Sequence, residues 1–232
     1  MSKKILAFGA HPDDVEFGCA GLLIKEIESG SQVKIVVCSL GEAGTNGTSE
    51  GRQREAEMAA KLIGAEIEFI SLGGDSHMEN TPENAFKLAK IIREYKPNIV
   101  LSTSYFENQH PDHYALSQMA RSASRLARYG GLEELKKLPS HTIESLYFYP
   151  SSHGFEKKPD IIIDVSAQYD TWMKAVALHE SQMKTKNYMN MIESRAKAYG
   201  ASIDVKYATI LWVNDAIRTN TLSQLGSSAR NY

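Results

Sequence analysis

Surplus charge, cysteine and long apolar runs are all scarce in this sequence, and each scarcity excludes a class of partner or compartment. Lys and Arg number 26 against 28 Asp and Glu, for a net charge of -2. No one-signed field is present to hold a nucleic-acid backbone or an anionic membrane surface, so partners should be small and met at a local site. There are two cysteines, Cys19 and Cys38, each inside an apolar segment. That placement suits reduced core thiols better than a disulfide and points to a reducing compartment, hence a cytoplasmic protein. No apolar stretch approaches the length of a transmembrane helix. The run that follows Lys3 and Lys4 is too short for a signal peptide, and charges follow it at once. Repeats and internal linkers are missing too. The expectation is one domain over 1–232, closing in a polar tail from about 219, "TNTLSQLGSSARNY", on the surface or against a partner subunit.

What is present is an alternation of short apolar runs with longer helical patterns. Strands are expected at 4–9, 33–40, 66–72, 98–104, 145–150, 160–165 and within 206–213. Several are continuously apolar, as strands covered on both faces are. Helices fill the gaps. One runs over 16–30 and closes on Gly30, and a second opens with Ser49 as N-cap and ends at Gly64. A third has Thr81 as N-cap, Pro82 at its first position and Pro97 beyond its end. Alternating βα units of this kind argue for an α/β, Rossmann-like fold with a mainly parallel sheet and helices on both faces. At 232 residues and 42% hydrophobic content the chain can bury one large core.

Two segments carry the chemistry. The first strand runs into "LAFGAHPDDVEFGCAG" (6–21), and the fourth into "SYFENQHPDHYA" (104–115). In the common doubly wound order the sheet reverses between the first and fourth strands, and ligands bind there at the strands' C-terminal edge. His11, Asp13, Asp14, His110, Asp112 and His113 should therefore share one crevice. Imidazoles and carboxylates without thiolates suit zinc or another divalent transition metal. Three ligands leave a position for water, and the surplus groups suit general acid/base work. The structural alternative is that Asp13 or Asp14 merely caps the next helix, while Pro111 starts another after His110. A dinucleotide site fits poorly. The spacing of Gly9, Gly18 and Gly21 is not the phosphate-cradling fingerprint, and two carboxylates occupy the turn that a pyrophosphate would approach. A metal-dependent phosphoesterase survives as a rival, although it usually wants two metals.

"AHPDD" with "HPDH" resembles the PIG-L / LmbE-like family of zinc-dependent N-deacetylases, in particular the bacterial enzymes of bacillithiol and mycothiol biosynthesis. "TNGTSEGRQREAEMAAKLIG", "HESQM" and "IESRAKAYG" extend the likeness over most of the chain. The resemblance implies that His11, Asp14 and His113 bind Zn2+, with Fe2+ or another divalent ion as alternatives. It implies Asp13 as general base, His110 as oxyanion stabiliser or acid, and Asp112 orienting the His110 ring. Arg52, Asp75 and Tyr188 would meet an N-acetylglucosamine-type conjugate. His77, His141, His153 and His179 are read as structural or exposed, and the loop "GEAGTNGTSEG" as a flexible lid. Relatives are often homo-oligomers, and "YATILWV" could serve such contacts. Two departures, Thr209-Ile210 after Tyr207-Ala208 and Asn108 where some relatives have tyrosine, leave a nucleotide sugar, polysaccharide or antibiotic precursor open as substrate. A non-catalytic sugar-binding relative is the remaining alternative.

Overall fold

The computed structural model describes residues 2–106, 110–151 and 157–229. Its strands are β1 (Lys4–Gly9), β2 (Gln32–Val37), β3 (Glu66–Phe69), β4 (Ile99–Thr103), β5 (Ser145–Tyr149), β6 (Ile161–Asp164) and β7 (Ala208–Val213). The helices are α1 (Asp14–Glu28), α2 (Ser49–Ile63), α3 (Pro82–Tyr95), α4 (Pro111–Arg128), α5 (Tyr169–Ala177), α6 (Glu180–Met183) and α7 (Tyr188–Ala201). The strands form one sheet in the order β3-β2-β1-β4-β5-β7-β6. The first five of these are parallel, whereas β7 runs antiparallel to both β5 and β6. The order reverses at β1 and β4, which pair directly through Ile5 with Ile99 and Ala7 with Leu101.

The continuous apolar character of β1 follows from its two buried faces. Ile5 and Ala7 point into a core shared with α1, α2, α5 and α7. Leu6 and Phe8 point the other way, into a core shared with α3 and α4. Successive side chains of a strand alternate faces, so a central strand has no solvent side to leave polar. Helix ends follow local rules. Thr81 Oγ1 accepts from the Asn84 amide at 3.2 Å, with Pro82 opening α3. At α2 the cap is Thr48 and not Ser49. Thr48 has extended φ/ψ and its Oγ1 accepts from the Gly51 amide at 3.1 Å, whereas Ser49 is already helical. Gly30, at φ 91°, lies one residue past the capping Ser29 of α1.

The apolar "YATILWV" segment is not a free face. It becomes β7, inserted between β5 and β6, with Ile210 and Trp212 fully buried. The chain after β7 is largely exposed, including Ile217, Leu222 and Leu225. Among the described residues no helix is long and apolar enough to cross a membrane.

Candidate metal centre and active site

The turn between β1 and α1 brings the first motif to the sheet's C-terminal edge. Asp14 folds back over this turn, and its Oδ2 accepts from the Ala10 and His11 amides at 2.9 and 2.8 Å. Neither aspartate caps the helix with its side chain in the ordinary way. Asp13 occupies the cap position at φ 143°, ψ -26°, and its carboxylate makes no capping hydrogen bond. The second motif arrives at the start of α4. His110 is the cap residue, its Nδ1 accepting from the Asp112 amide at 3.3 Å, and Thr103 Oγ1 donates to the His113 carbonyl at 2.7 Å.

Lewis-basic atoms of three residues converge where the motifs meet. His11 Nδ1 lies 3.3 Å from His113 Nε2 and 3.5 Å from Asp14 Oδ2, and His113 Nε2 lies 2.9 Å from Asp14 Oδ1. All three residues are buried. Nitrogen and oxygen ligands about 2.0–2.1 Å from a tetrahedral ion stand roughly 3.3 Å apart, which is the observed scale. His11 is prepared for this role. Its Nε2 faces Asp112 Oδ2 at 3.0 Å and Asp75 Oδ1 at 3.1 Å. Carboxylates only accept, so the Nε2 proton lies there and the Nδ1 lone pair is left to face the cluster. Without a cation, His11 Nδ1 and His113 Nε2 must carry protons to meet the Asp14 carboxylate; a divalent ion lets all three residues face it as acceptors. The donor set therefore fits a divalent metal. His11 also groups with His110 and His113, and separately with Asp75 and Asp112, with donor atoms within 4.8 Å of one another.

The surrounding charges polarise the site. Burial alone would lower the His11 imidazole, but Asp112, Asp14 and Asp75 hold it well above its ordinary value. Burial would raise Asp14, yet His113 and His11 keep it well below the usual carboxylate range. Burial, reinforced by the Asp14 charge, pushes the Asp13 carboxyl up to about 7, against the pull of Arg52. Burial and the neighbouring His11 and His113 lower His110.

A cavity of about 260 Å³ opens over these groups, lined by Asp13, Arg52, Asp75, His110 and Tyr188 among others. Phe17, Ser76, Ser151 and Gln182 also line it, and none of them stands out in the sequence as a candidate. Phe17 is one helical turn past Asp14 and packs its ring 5.1 Å from that of Tyr188. Gln182 belongs to "HESQM", whose polar positions were its only signal.

Three expectations change in detail. The Asp112 carboxylate orients His11 and not the His110 ring. Its oxygens also accept from the Ser76 and Met78 amides at 2.6 and 3.2 Å. The physical reason is that His110 caps α4, so its ring meets the Asp112 backbone while the side chain turns inward. Asp75 likewise directs Oδ1 at His11, and its Oδ2 accepts from the Ala43 amide at 3.2 Å. The loop after β2 is pinned and not a free lid: Asn46 Nδ2 donates to Thr185 Oγ1 at 2.8 Å, and Gln182 Nε2 to the Asn46 carbonyl at 3.2 Å. His179 is fully buried, with its Nε2 3.6 Å from Glu16 Oε2. His77 and His141 bond to backbone carbonyls. Asn108 and His153 lie outside the described residues.

Comparison with known proteins matches this architecture. A diacetylchitobiose deacetylase of Thermococcus kodakarensis is 29% identical over 192 residues, covering 78% of this chain and 70% of that protein. A 4-oxalmesaconate hydratase of Pseudomonas putida is 25% identical over 186 residues, covering 75% and 72%. The crystal structure of a conserved protein from Thermus thermophilus superposes with a TM-score of 0.85 at 27% identity, over 94% of this chain and 97% of that one. The family model described as PIG-L, GlcNAc-PI de-N-acetylase, matches residues 6–124, a span that holds both motifs, and the chain belongs to that family.

Proposed function

We propose that the protein is a metal-dependent hydrolase that removes the acetyl group from an N-acetylglucosamine-type conjugate. One observation carries the reading: a carboxylate, Asp13, and an imidazole, His110, line the same cavity as the three converging donors of His11, Asp14 and His113. A site that only bound a sugar would not need an acid/base pair beside a metal triad. His11, Asp14 and His113 would hold zinc or ferrous iron, which would supply a Lewis acid and, for zinc, bring the pKa of bound water to about 7.

The chain's own groups then divide the proton traffic. Asp13 accepts the proton of the attacking water as its oxygen bonds to the acetyl carbon. His110 faces the developing oxyanion, and the proton taken by Asp13 passes to the amine nitrogen as the C–N bond breaks, leaving acetate and a free amino sugar. Asp112 and Asp75 hold His11 in its ligating tautomer. Phe17 and Tyr188 give the cavity an apolar wall against which a sugar ring can lie.

The hydratase among the relatives favours a second reading, because water activation also serves addition to a double bond. The lining opposes it. Even with a divalent ion on the triad, that ion and Arg52, the one cationic side chain among the described lining residues, only balance the carboxylates Asp13, Asp14 and Asp75, so no positive surplus is left to attract a polycarboxylate. The test is amine and acetate release from a panel of N-acetylated amino-sugar conjugates, with metal content measured on the same sample. Release at a near-stoichiometric metal load supports the proposal. Fully loaded protein that leaves every conjugate intact, or hydrates an unsaturated polycarboxylate instead, overturns it.

A further inference from the structure

The loop after β2 is built around one buried cation. Gly41, Gly44 and Gly47 recur at every third residue, and all three back onto Arg52. A Cβ at Gly41 would overlap the guanidinium, one at Gly44 would stand 2.7 Å from Nη1, and one at Gly47 3.1 Å from Cγ. The missing side chains are what let the loop wind on the arginine. Arg52 is only 4% exposed. Its fork reaches into the protein at three points: Nη1 donates to the Gly41 carbonyl at 2.9 Å, and Nη2 to the Pro12 carbonyl at 3.3 Å and Asp13 Oδ2 at 3.4 Å. Its Nε lies against Gly41 and has no hydrogen-bond partner among the described residues. Asp13 has need of such support, since φ 143° is a backbone conformation that L-residues rarely adopt.

We propose that Arg52 is a positioning residue for Asp13, whatever contact it also makes with substrate. It joins the 41–47 loop to the strained turn, so that the carboxylate is aimed before substrate arrives. This rests on the deacetylase reading above. Preorganisation of a reacting group is felt in kcat, and loss of uniform binding in KM. A lysine cannot reproduce the arrangement, because a single ammonium does not span two carbonyls and a carboxylate as a planar fork does.

The experiment compares zinc-loaded full-length wild type with Arg52→Gln, Arg52→Lys and Gly44→Ala. It measures kcat and KM for amine release, together with the rate of cleavage after Glu42 by a glutamate-specific protease. Arg52→Gln should lower kcat by about 10²-fold, the scale of a misplaced reacting group, whether or not KM also rises. Arg52→Lys, which keeps the charge and the buried stem, should not recover kcat. Gly44→Ala should lower kcat with the arginine still present, and all three should be cut faster at Glu42. A rise in KM of about tenfold at unchanged kcat, with unchanged cleavage, overturns the proposal, as does recovery by lysine. If wild type turns over no conjugate, the deacetylase reading fails by itself. Cleavage still decides whether Arg52 holds the loop: equal protection of wild type and Arg52→Gln would refute it.

Discussion

Individual side chains at this centre act through one another, and their substitutions should separate accordingly. Asp13 is outside the converging triad, whereas His113 is within it. Asp13→Asn should keep the metal and lose about 10²–10⁴-fold in rate, the usual worth of a positioned acid/base group. His113→Ala should lose both, and elemental analysis beside an amine-release assay separates the outcomes. Asp112 touches the triad only through His11. Asp112→Asn should weaken metal affinity by about 10–100-fold, read by competition with a chromophoric chelator, because the neutral amide no longer fixes the ligating tautomer. His179 lies deeper, fully buried beside Glu16. Burial, with the Arg52 charge, lowers its imidazole to about 3. The folded state thus refuses a proton that the unfolded chain accepts below about 6.5. The stability from this group is complete above that pH and is lost as pH falls toward 3. In urea melts, the margin of wild type over His179→Gln should therefore narrow between pH 7 and pH 4; a constant margin would contradict the burial argument.

At the scale of elements, α1 shows how packing reverses a propensity rule. Gly18 sits in mid-helix, where alanine is ordinarily better by about 0.5–1 kcal/mol. Here a Cβ would overlap the Tyr149 ring and stand 2.7 Å from the Pro150 carbonyl. The ring cannot retreat, since Tyr149 is fully buried and its hydroxyl donates to the Phe8 carbonyl at 2.7 Å. Gly18→Ala should therefore destabilise by about 1–3 kcal/mol. A higher urea midpoint at constant slope would show that α1 has room to shift. The close approach matters for the site, because α1 carries Asp14 at its first residue and Phe17 one turn on.

On the scale of the whole molecule, the centre joins two layers. α1 packs on one face of the sheet and α4 on the other, and they meet only beyond the ends of β1 and β4. An ion held by His11, Asp14 and His113 would bind the folded state across that seam and not the unfolded chain. At a free metal concentration of about 100 times Kd this adds about 2.7 kcal/mol. For a chain of this size the melting temperature should rise by about 5–10 °C over metal-stripped protein. Calorimetry after chelation and after zinc is restored checks this, and identical melting curves would count against the triad as the metal site.

The sequence by itself determined the layered α/β plan, because short continuous apolar runs alternating with helical patterns read as strands covered on both faces, and helix ends are written in Thr81, Pro82 and Gly30. It also determined that His11 and His113 would meet, since both follow strands that flank the reversal. Tertiary structure alone decided where side chains point. A separation of two residues does not say whether Asp112 turns to His110 or to His11; the burial of its carboxylate between α4 and the Ser76 amide does. Glycines in "GEAGTNG" read as freedom until Arg52 fills the space they leave. Composition records which atoms are missing, and only the folded chain shows what occupies their place.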